Sequence, residues 1–187
     1  MPPSSAQDLP RPTLRGPRVV LRAPQPTDIT DRLAAGRDPE FRRMVGAIGS
    51  VPGPLTQADA ERWYEDVGRE KLGWVIELEG RCVGAARLHS VDAKLKQAHL
   101  AVGLFAPQHR GMGLGTEAVQ LLLSHAFDTL ELSVVRARVL AFNSRAITCY
   151  RRCGFREVTR EPVSLDGEAA EDILMEVRAS EPRIMCD

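Results

Sequence analysis

The stretch that decides the fold is Gln108-His109-Arg110-Gly111-Met112-Gly113-Leu114-Gly115-Thr116, which lies between a predicted strand and a predicted amphipathic helix. Its three alternating glycines let the backbone approach a ligand closely, and the unpaired N–H groups of a helix start attract an anion. Because each glycine costs backbone entropy on folding, three exceed what an ordinary turn needs. The stretch therefore predicts an anion cradle, with a glycine-rich turn that binds nothing as the alternative.

Two better-known phosphate loops do not fit this stretch. A P-loop needs a lysine after its last glycine, and the stretch contains no lysine. The dinucleotide pattern GxGxxG fails because its last glycine would fall on Thr116. A predicted antiparallel hairpin also precedes the stretch, whereas a dinucleotide site follows the first strand of a βαβ unit. Both kinds of loop are set aside.

The hydrophobic periodicity changes on either side of the predicted cradle. Residues 97–105 alternate as in a strand, and apolar residues recur at helical spacing after Gly113. The predicted strands are residues 18–22, 74–78, 82–91, 97–105, 134–140, a segment from Phe155, and 173–177; the predicted helices begin at Thr27 or Asp28, Pro39, Thr56, Gly113 and Asn143. This order predicts an α/β (α+β) fold, with a mixed, mostly antiparallel central sheet of about seven strands flanked by helices.

Length and composition predict one domain. The chain has 187 residues, 43% of them hydrophobic, which is enough for one core. Residues 1–17 contain five prolines and are expected to form a flexible lead-in, residues 18–180 the domain, and residues 181–187 a tail. Residues 46–54, rich in Gly and Pro, are expected to form a loop that shapes substrate specificity.

The charge and the cysteines exclude several classes of partner. Because 25 basic residues balance 25 acidic ones, no nucleic acid partner is expected. The chain has neither a secretory signal nor an apolar run of the roughly 20 residues that cross a bilayer, so no membrane association and a cytoplasmic location are expected. The four cysteines form no CxxC pair and have no zinc-like spacing with the four histidines, so no metal site is predicted.

Two motifs resemble one known family. Arg110-x-x-Gly113-x-Gly115 is similar to the Q/R-x-x-G-x-G/A signature of GNAT acetyltransferases, and Asn143-Ser-Arg-Ala-Ile-Thr-Cys-Tyr150-Arg-Arg-Cys-Gly154-Phe155 is similar to the family's later helix. Both stand in the family's order, and with the strand order the resemblance covers Arg18 to Arg178. It looks closest to the branch of ribosomal-protein N-terminal acetyltransferases and their small-molecule relatives. The resemblance implies the GNAT fold, with acetyl-CoA as cosubstrate.

The same resemblance implies where the cosubstrate binds. The strand ending at Leu104 and Phe105 is expected to splay from its neighbour and offer its backbone to the pantetheine arm. Asn143 is expected either to bond the pantetheine or to cap its helix. The pyrophosphate is expected to bind at Arg110, Gly111, Met112, Gly113, Leu114, Gly115 and Thr116.

Two residues are candidates for proton transfer. Tyr150 lies where the family often has the acid that protonates the departing thiolate, and core packing is the alternative role. An attacking amine must first lose a proton, and His99, where similar proteins often carry a glutamate, is the candidate base, with His89 in reserve. A structural histidine is the alternative at that position. Cys149 has no apparent His–Asp relay, so direct transfer in a ternary complex is preferred to a covalent acetyl-enzyme.

The predicted reaction moves an acetyl group from acetyl-CoA to a primary amine, which is a small molecule or a protein N-terminus. One alternative is a larger acyl group such as succinyl, since Ala101 and Gly103 are small. A non-catalytic module that binds acyl-CoA is another. The sequence does not identify the amine acceptor, and a homodimer is one assembly that the resemblance allows.

Overall fold

The computed structural model describes residues 11–47 and 53–180 of the chain. Eight strands and five α-helices lie in these residues, together with a 3-10 turn at Pro107–His109 and a π-helical extension at His125–Thr129. The strands are β1 (Leu14–Arg15), β2 (Val19–Arg22), β3 (Gly73–Leu78), β4 (Arg81–Asp92), β5 (Gln97–Leu104), β6 (Val134–Leu140), β7 (Arg156–Leu165) and β8 (Glu168–Arg178). The helices are α1 (Thr27–Ala35), α2 (Pro39–Met44), α3 (Gln57–Arg69), α4 (Leu114–Ser124) and α5 (Ser144–Arg152).

All eight strands form a single sheet in the order β1-β2-β3-β4-β5-β6-β8-β7. Every neighbouring pair is antiparallel except β5 and β6, which run parallel. The predicted mixed, mostly antiparallel sheet flanked by helices is therefore confirmed. It has one strand more than the seven expected.

The additional strand is β1, which lies in the segment predicted to be a flexible lead-in and pairs with β2. A hydrogen bond also holds this segment against β3, because the Trp74 indole N–H donates to the Pro12 carbonyl oxygen (2.7 Å). Its prolines suggested flexibility, but Leu14 packs at the margin of the core, which favours an ordered strand. The ordered domain thus begins before residue 18. Residues 1–10, part of the 46–54 loop and the 181–187 tail lie outside the described residues.

Local sequence signals account for most of the boundaries. Thr56 and Asp59 form a complete capping box at the start of α3. Glu79 and Gly80 both have positive φ in the tight turn between β3 and β4. Gly154 has φ of 91° just after α5, where it closes the helix before β7. These short-range rules fix the lengths of the elements and leave their packing to longer-range contacts.

The sheet has a helical layer on each face. The larger core lies between the sheet and the α4 and α5 side, where Leu100, Leu122 and Val135 are almost fully buried. A smaller cluster on the opposite face joins α3 to the sheet through Val67 and Phe105, with Ala35 of α1 packed beside it. Because β5 contributes alternate residues to each layer, the strand separates two different environments.

None of the described helices is both long enough and apolar enough to span a membrane. Over residues 11–47 and 53–180, no group of three or more His, Cys, Asp or Glu side chains is arranged to hold a metal ion. Cys82, Cys149 and Cys153 form no disulfide bond among the described residues.

Candidate functional site

β5 and β6 separate partway along their length. Their parallel pairing joins only residues 97–99 to residues 134–136. Beyond this point β6 continues to pair with β8 as far as Leu140, while β5 stays paired with β4 as far as Leu104. The predicted splay of β5 is thereby confirmed. It leaves the β6-facing backbone of residues 100–104 without a strand partner, which is an edge that an extended ligand can bind.

A cavity of about 430 Å³ lies where the strands separate. The end of β5, the glycine-rich loop, α2 and α5 form its walls. The lining residues used below are Phe41, Met44, Val45, Val102, Gly103, Leu104, Arg110, Gly111, Gly113, Gly115, Thr116, Asn143, Arg145, Cys149, Tyr150 and Arg152. Most of the wall is apolar in character, with a few polar groups in definite positions, as is usual for a small-molecule site.

The glycine-rich loop presents backbone N–H groups at the start of α4. Gly111 and Gly113 have φ of 74° and 81°, a conformation that L side chains rarely adopt. Within the described residues, no N–H group from Gly111 to Thr116 bonds to a backbone oxygen, whereas the Glu117 N–H donates to the Gly113 carbonyl (3.0 Å). A Cβ built on Gly111 or Gly115 would meet nothing within 4 Å. The loop is therefore an open set of donors at the positive end of a helix dipole.

A buried carboxylate holds this loop against the sheet. The Glu117 side chain accepts hydrogen bonds from the N–H groups of Arg18 (2.7 Å) and Val19 (2.9 Å) and from the Arg18 guanidinium (3.0 Å). Arg18 in turn donates to the Met112 carbonyl oxygen (2.7 Å). The pair joins the β2 strand to the loop across about a hundred residues of sequence. A side chain on Gly16 would collide with Glu117, since its Cβ would lie 2.5 Å from the carboxylate oxygen.

The Arg110 side chain is engaged within the protein. Its guanidinium donates to the Phe105 carbonyl oxygen (3.1 Å), forms ion pairs with Asp38 and Glu40, and is only 13% exposed. It also lies 5.8 Å from the centre of the Phe41 ring. Arg110 therefore ties α2 to the end of β5, and two carboxylates already neutralise its charge.

Three of the residues predicted to bind the cosubstrate have side chains outside the cavity. Phe105 points to the opposite face of the sheet, where its ring meets Trp63 edge-on with 5.2 Å between centroids. Leu114 is 1% exposed in the larger core, and Met112 is 53% exposed and contributes its carbonyl oxygen to Arg18. Each position was inferred from a motif that specifies the backbone. The direction of each side chain follows the period of its strand or helix, and at these three positions it leads away from the cavity. The other residues predicted to bind the cosubstrate line the cavity: Leu104, Arg110, Gly111, Gly113, Gly115, Thr116 and Asn143.

Asn143 uses both ends of its side-chain amide within the protein. The oxygen accepts from the Ala146 N–H (3.1 Å) and caps α5, while the nitrogen donates to the Met44 carbonyl oxygen (3.2 Å) at the end of α2. Of the two roles considered from the sequence, the helix cap is confirmed.

Tyr150 lies in the cavity wall with 6% of its surface exposed. Its ring packs on Phe155, with centroids 5.3 Å apart, and no described residue forms a hydrogen bond with its hydroxyl. Burial raises the pKa of the Tyr150 phenol above its ordinary value, and the nearby Cys149 and Cys153 add to the shift. The phenol is therefore protonated at neutral pH and available as a donor.

His99 does not line the cavity. It stands opposite His89 on β4, with ring centroids 5.6 Å apart, at the last residue pair before β5 and β6 separate. Burial, followed by the charges of Arg136 and Arg138, lowers the pKa of His99 below its ordinary value. The imidazole is thus neutral at pH 7 and able to accept a proton, but it lies on the sheet face opposite the larger core and Tyr150.

Cys149 is a cavity residue that the sequence analysis set aside. Its sulfur accepts a hydrogen bond from the Thr116 hydroxyl at 3.5 Å. Hydrogen bonding with Cys153 and Thr116 outweighs burial and lowers the pKa of the Cys149 thiol to about 7. Its partners are a thiol and a hydroxyl, so it lacks the imidazole base that activates a nucleophilic cysteine.

The most important lining that sequence analysis missed comes from α2. Phe41, Met44 and Val45 close one side of the cavity. A Cβ on Gly103 would lie 2.9 Å from the Phe41 ring, so the space beside this glycine is already filled. The Phe41 ring thus occupies the space beside Gly103, one of the two small residues that suggested room for a larger acyl group. No local pattern in the sequence places α2 against β5.

A comparison with protein families matches residues 18–156 to a family model described as an acetyltransferase (GNAT) domain. Among individual proteins, human alpha/beta-tubulin-N-acetyltransferase 9 is 31% identical over 106 residues, which cover 56% of this chain and 48% of the human protein. Spermidine N(1)-acetyltransferase of Escherichia coli K12 is 29% identical over 82 residues, 44% of each chain. The matched region thus spans about half the length of these relatives.

Solved structures share the fold at low sequence identity. Spermidine N-acetyltransferase from Vibrio cholerae, solved in complex with CoA and spermine, superposes with a TM-score of 0.70 at 19% identity, covering 88% of this chain and 98% of the other. At this identity the likeness establishes the architecture alone.

Proposed function

The chain belongs to the GNAT acetyltransferase family, and from that premise we propose that it transfers an acetyl group from acetyl-CoA to a primary amine. The observation that carries the proposal is the set of unbonded N–H groups from Gly111 to Thr116, open to a cavity of about 430 Å³ beside a splayed strand. A helix start of this kind suits a pyrophosphate, and a free strand edge suits a chain of amides. The Vibrio cholerae relative was solved with CoA, which supports the same ligand here.

The cradle fits a diphosphate through its backbone. Gly115 leaves open the space above the first turn of α4, while the Thr116 hydroxyl beside it donates to the Cys149 sulfur. Arg110 would act indirectly, since its guanidinium is held by Asp38 and Glu40 and serves to fix the end of β5. Arg152 supplies positive charge in the cavity wall, whereas the Arg145 guanidinium is paired with Glu40 (2.6 Å).

The chemistry requires two proton movements. The amine must lose a proton before its nitrogen attacks the thioester carbonyl carbon, and the C–S bond must then break to release CoA as a thiolate or thiol. We assign the first to His99, acting through water because it lies outside the cavity wall, and the second to the Tyr150 phenol. An N–H of β5 near the splay would stabilise negative charge on the carbonyl oxygen.

The reaction is proposed to take place in the cytoplasm. The reduced side chains of Cys82, Cys149 and Cys153, which form no disulfide bond among the described residues, suit a reducing compartment, where thiols persist.

Release of free thiol from acetyl-CoA tests the proposal directly. The assay would offer amino acids, polyamines and N-terminal peptides as acceptors, with acetyl-CoA and succinyl-CoA as donors. We expect acetyl-CoA to react and succinyl-CoA to be poor, because Phe41 fills the space at Gly103. Tight acyl-CoA binding without turnover on any acceptor would show a non-catalytic binding module and contradict the proposal.

Replacing Gly115 should separate stability from cosubstrate binding. In Gly115→Ala the new methyl enters open space, so the free protein should be unchanged or stabilised by up to about 1 kcal/mol. The same methyl would stand where a phosphate meets the helix start. Loss of one charge-assisted hydrogen bond would weaken acetyl-CoA binding about 10- to 100-fold.

Gly68→Ala is the matched control for this change, because Gly68 lies in α3 and its new Cβ would only touch Pro24 at 3.9 Å. Calorimetric titration with CoA and thermal unfolding measure the two effects. Equal CoA affinity in Gly115→Ala and the native protein would show that the cradle lies elsewhere.

The pH dependence of the reaction tests His99. Because burial lowers the pKa of His99, kcat/KM should fall only as pH drops below the ordinary value of 6.5. His99→Gln should lose this acid limb and slow the reaction about 100-fold. His89→Gln is the control, since His89 stands opposite His99 in the sheet register. An unchanged acid limb in His99→Gln, or its loss in His89→Gln instead, would refute the assignment.

A further inference from the structure

A second cavity, of about 300 Å³, lies beside the first and is lined neither by Tyr150 or His99 nor by the glycine-rich loop. It is formed by the end of α1, by α2 and by Phe105, on the sheet face that carries α1 and α3. Phe41 and Val45 of α2 line both cavities. These two side chains therefore form the boundary between the two cavities.

The charged residues of this second cavity are unbalanced. Its charged lining consists of Arg32, Arg37, Arg42 and Asp38, three cations and one anion. The Asp38 carboxylate is already paired with the Arg110 guanidinium. Arg37 is paired with Asp59 at 2.5 Å, so a carboxylate of the protein already neutralises its charge.

Arg32 has no carboxylate partner among the described residues. Among the described residues, no carboxylate lies within ion-pair distance of its guanidinium, whose one hydrogen bond goes to the Gly36 carbonyl oxygen (2.8 Å). The group lies over the Phe105 ring, 4.5 Å from its centroid, and its Nε is buried without a partner. Burial, with the charge of Arg37, lowers the pKa of Arg32 below its ordinary value.

A half-buried guanidinium without a counter-ion lowers the stability of the folded protein. Removing a guanidinium from water is unfavourable unless an anion or several hydrogen bonds replace the hydration. The Asp59 carboxylate acts on Arg32 only through its charge, because it is bonded to Arg37, Arg62 and the capping box of α3. Since no carboxylate of residues 11–47 and 53–180 pairs with Arg32, the cavity suits an anionic ligand.

We propose that the second cavity binds a carboxylate of the amine acceptor, held by the Arg32 guanidinium, so that the acceptor's amine projects past Phe41 into the first cavity. The inference rests on the proposed acetyl transfer and assigns its acceptor to the class of acidic amines, such as an acidic amino acid or a peptide with an acidic N-terminal residue. The planar fork of arginine suits a carboxylate, and the positive charge of the Arg32 guanidinium would repel a polyamine. This chain would then differ in substrate from the relatives named for spermidine.

Matched pairs of acceptors test the inference. Glutamate is compared with glutamine, and a peptide beginning with Glu with the same peptide beginning with Gln, each with acetyl-CoA as donor. Spermidine serves as the cationic acceptor, and succinyl-CoA with glutamine tests whether the carboxylate belongs to the donor instead. We expect kcat/KM to favour the acidic member of each pair about 10-fold or more, as for a charge-assisted hydrogen bond.

Variants of Arg32 localise the preference. Arg32→Gln should reduce the acidic preference to about 1 by raising KM for the acidic acceptor, with KM for acetyl-CoA unchanged. Arg32→Lys keeps the charge without the fork and should retain part of the preference, which also covers the case in which Arg32→Gln folds poorly. Arg69→Gln is the control, because Arg69 is 71% exposed on α3 and lines neither cavity.

The outcomes separate this inference from the proposed function. Turnover that favours spermidine or the neutral acceptors, or an acidic preference that survives in Arg32→Gln, would overturn the inference and leave acetyl transfer standing. A preference for succinyl-CoA that Arg32→Gln removes would assign the cavity to the donor and also overturn it. Absence of thiol release with every acceptor would remove the proposed function, and the inference with it.

Discussion

Tyr150→Phe is expected to lower kcat about 100-fold while leaving KM for acetyl-CoA unchanged. The change removes only a hydroxyl that lies in the cavity wall and forms no hydrogen bond with the described residues. A group that acts on the departing sulfur contributes in the transition state, so its loss appears in kcat. The folded state should be almost equally stable, because the ring keeps its packing against Phe155.

The raised pKa of Tyr150 limits how this residue can act. A thiol has an ordinary pKa of about 8.5, whereas burial raises the pKa of Tyr150 above the ordinary phenol value of about 10. Complete transfer of the phenol proton to a thiolate is therefore uphill. We expect most of its contribution to come from a hydrogen bond to sulfur as charge develops, which is why the effect should lie at the lower end of the range for acid catalysis.

Tyr64→Phe is the matched control, because the chain has two tyrosines and Tyr64 lies on α3, outside both cavities. Steady-state rates and thermal unfolding of both variants would be compared across pH. Tyr150 should stay protonated to above pH 10, so its removal should not alter an alkaline limb below that value. A full rate in Tyr150→Phe would assign the residue to packing alone.

Glu117→Ala is expected to produce the largest loss of stability of the changes considered. Glu117 is 8% exposed and accepts hydrogen bonds from two backbone N–H groups and the Arg18 guanidinium. Its removal would leave these donors without an acceptor at the junction of β2 and α4. We expect the free energy of unfolding to fall by about 3–5 kcal/mol, which for a domain of this size lowers Tm by roughly 6–20 °C.

The same change should weaken acetyl-CoA binding, because Arg18 also holds the Met112 carbonyl and thereby the loop. Glu117→Gln keeps one oxygen acceptor and should show an intermediate loss of stability. Glu65→Ala, which removes an exposed carboxylate paired with Arg69, should cost no more than about 0.5 kcal/mol. Denaturant unfolding and CoA titration are the measurements. A similar small cost for Glu117→Ala and Glu65→Ala would show that Glu117 does not anchor the loop.

The sequence predicted the elements of this fold well where short-range rules apply. The cap at Asn143, the first residue of α2 at Pro39 and the turn at Gly154 are all present, because each depends on backbone geometry within a few residues. The β1 strand was missed because a two-residue strand has almost no pattern of its own. It exists because β2 is already in place beside it.

The candidate site was predicted less evenly. Motifs located the glycine-rich loop and Tyr150, which both line the cavity. They did not indicate that Phe105 faces the other side of the sheet, or that His99 lies outside the cavity wall. A motif specifies a place along the chain, whereas the direction of a side chain depends on the strand's pleat and its neighbours.

The sequence by itself thus determined the order of the elements and the loop of free N–H groups at the start of α4. Both follow from hydrophobic period and from the backbone freedom of glycine, which are properties of neighbouring residues. Only the tertiary structure decided that Glu117 anchors this loop, that carboxylates of α2 neutralise Arg110, and that Arg32 is left without a counter-ion. Charge pairing acts through space between residues far apart in the chain, so it is fixed when the elements pack.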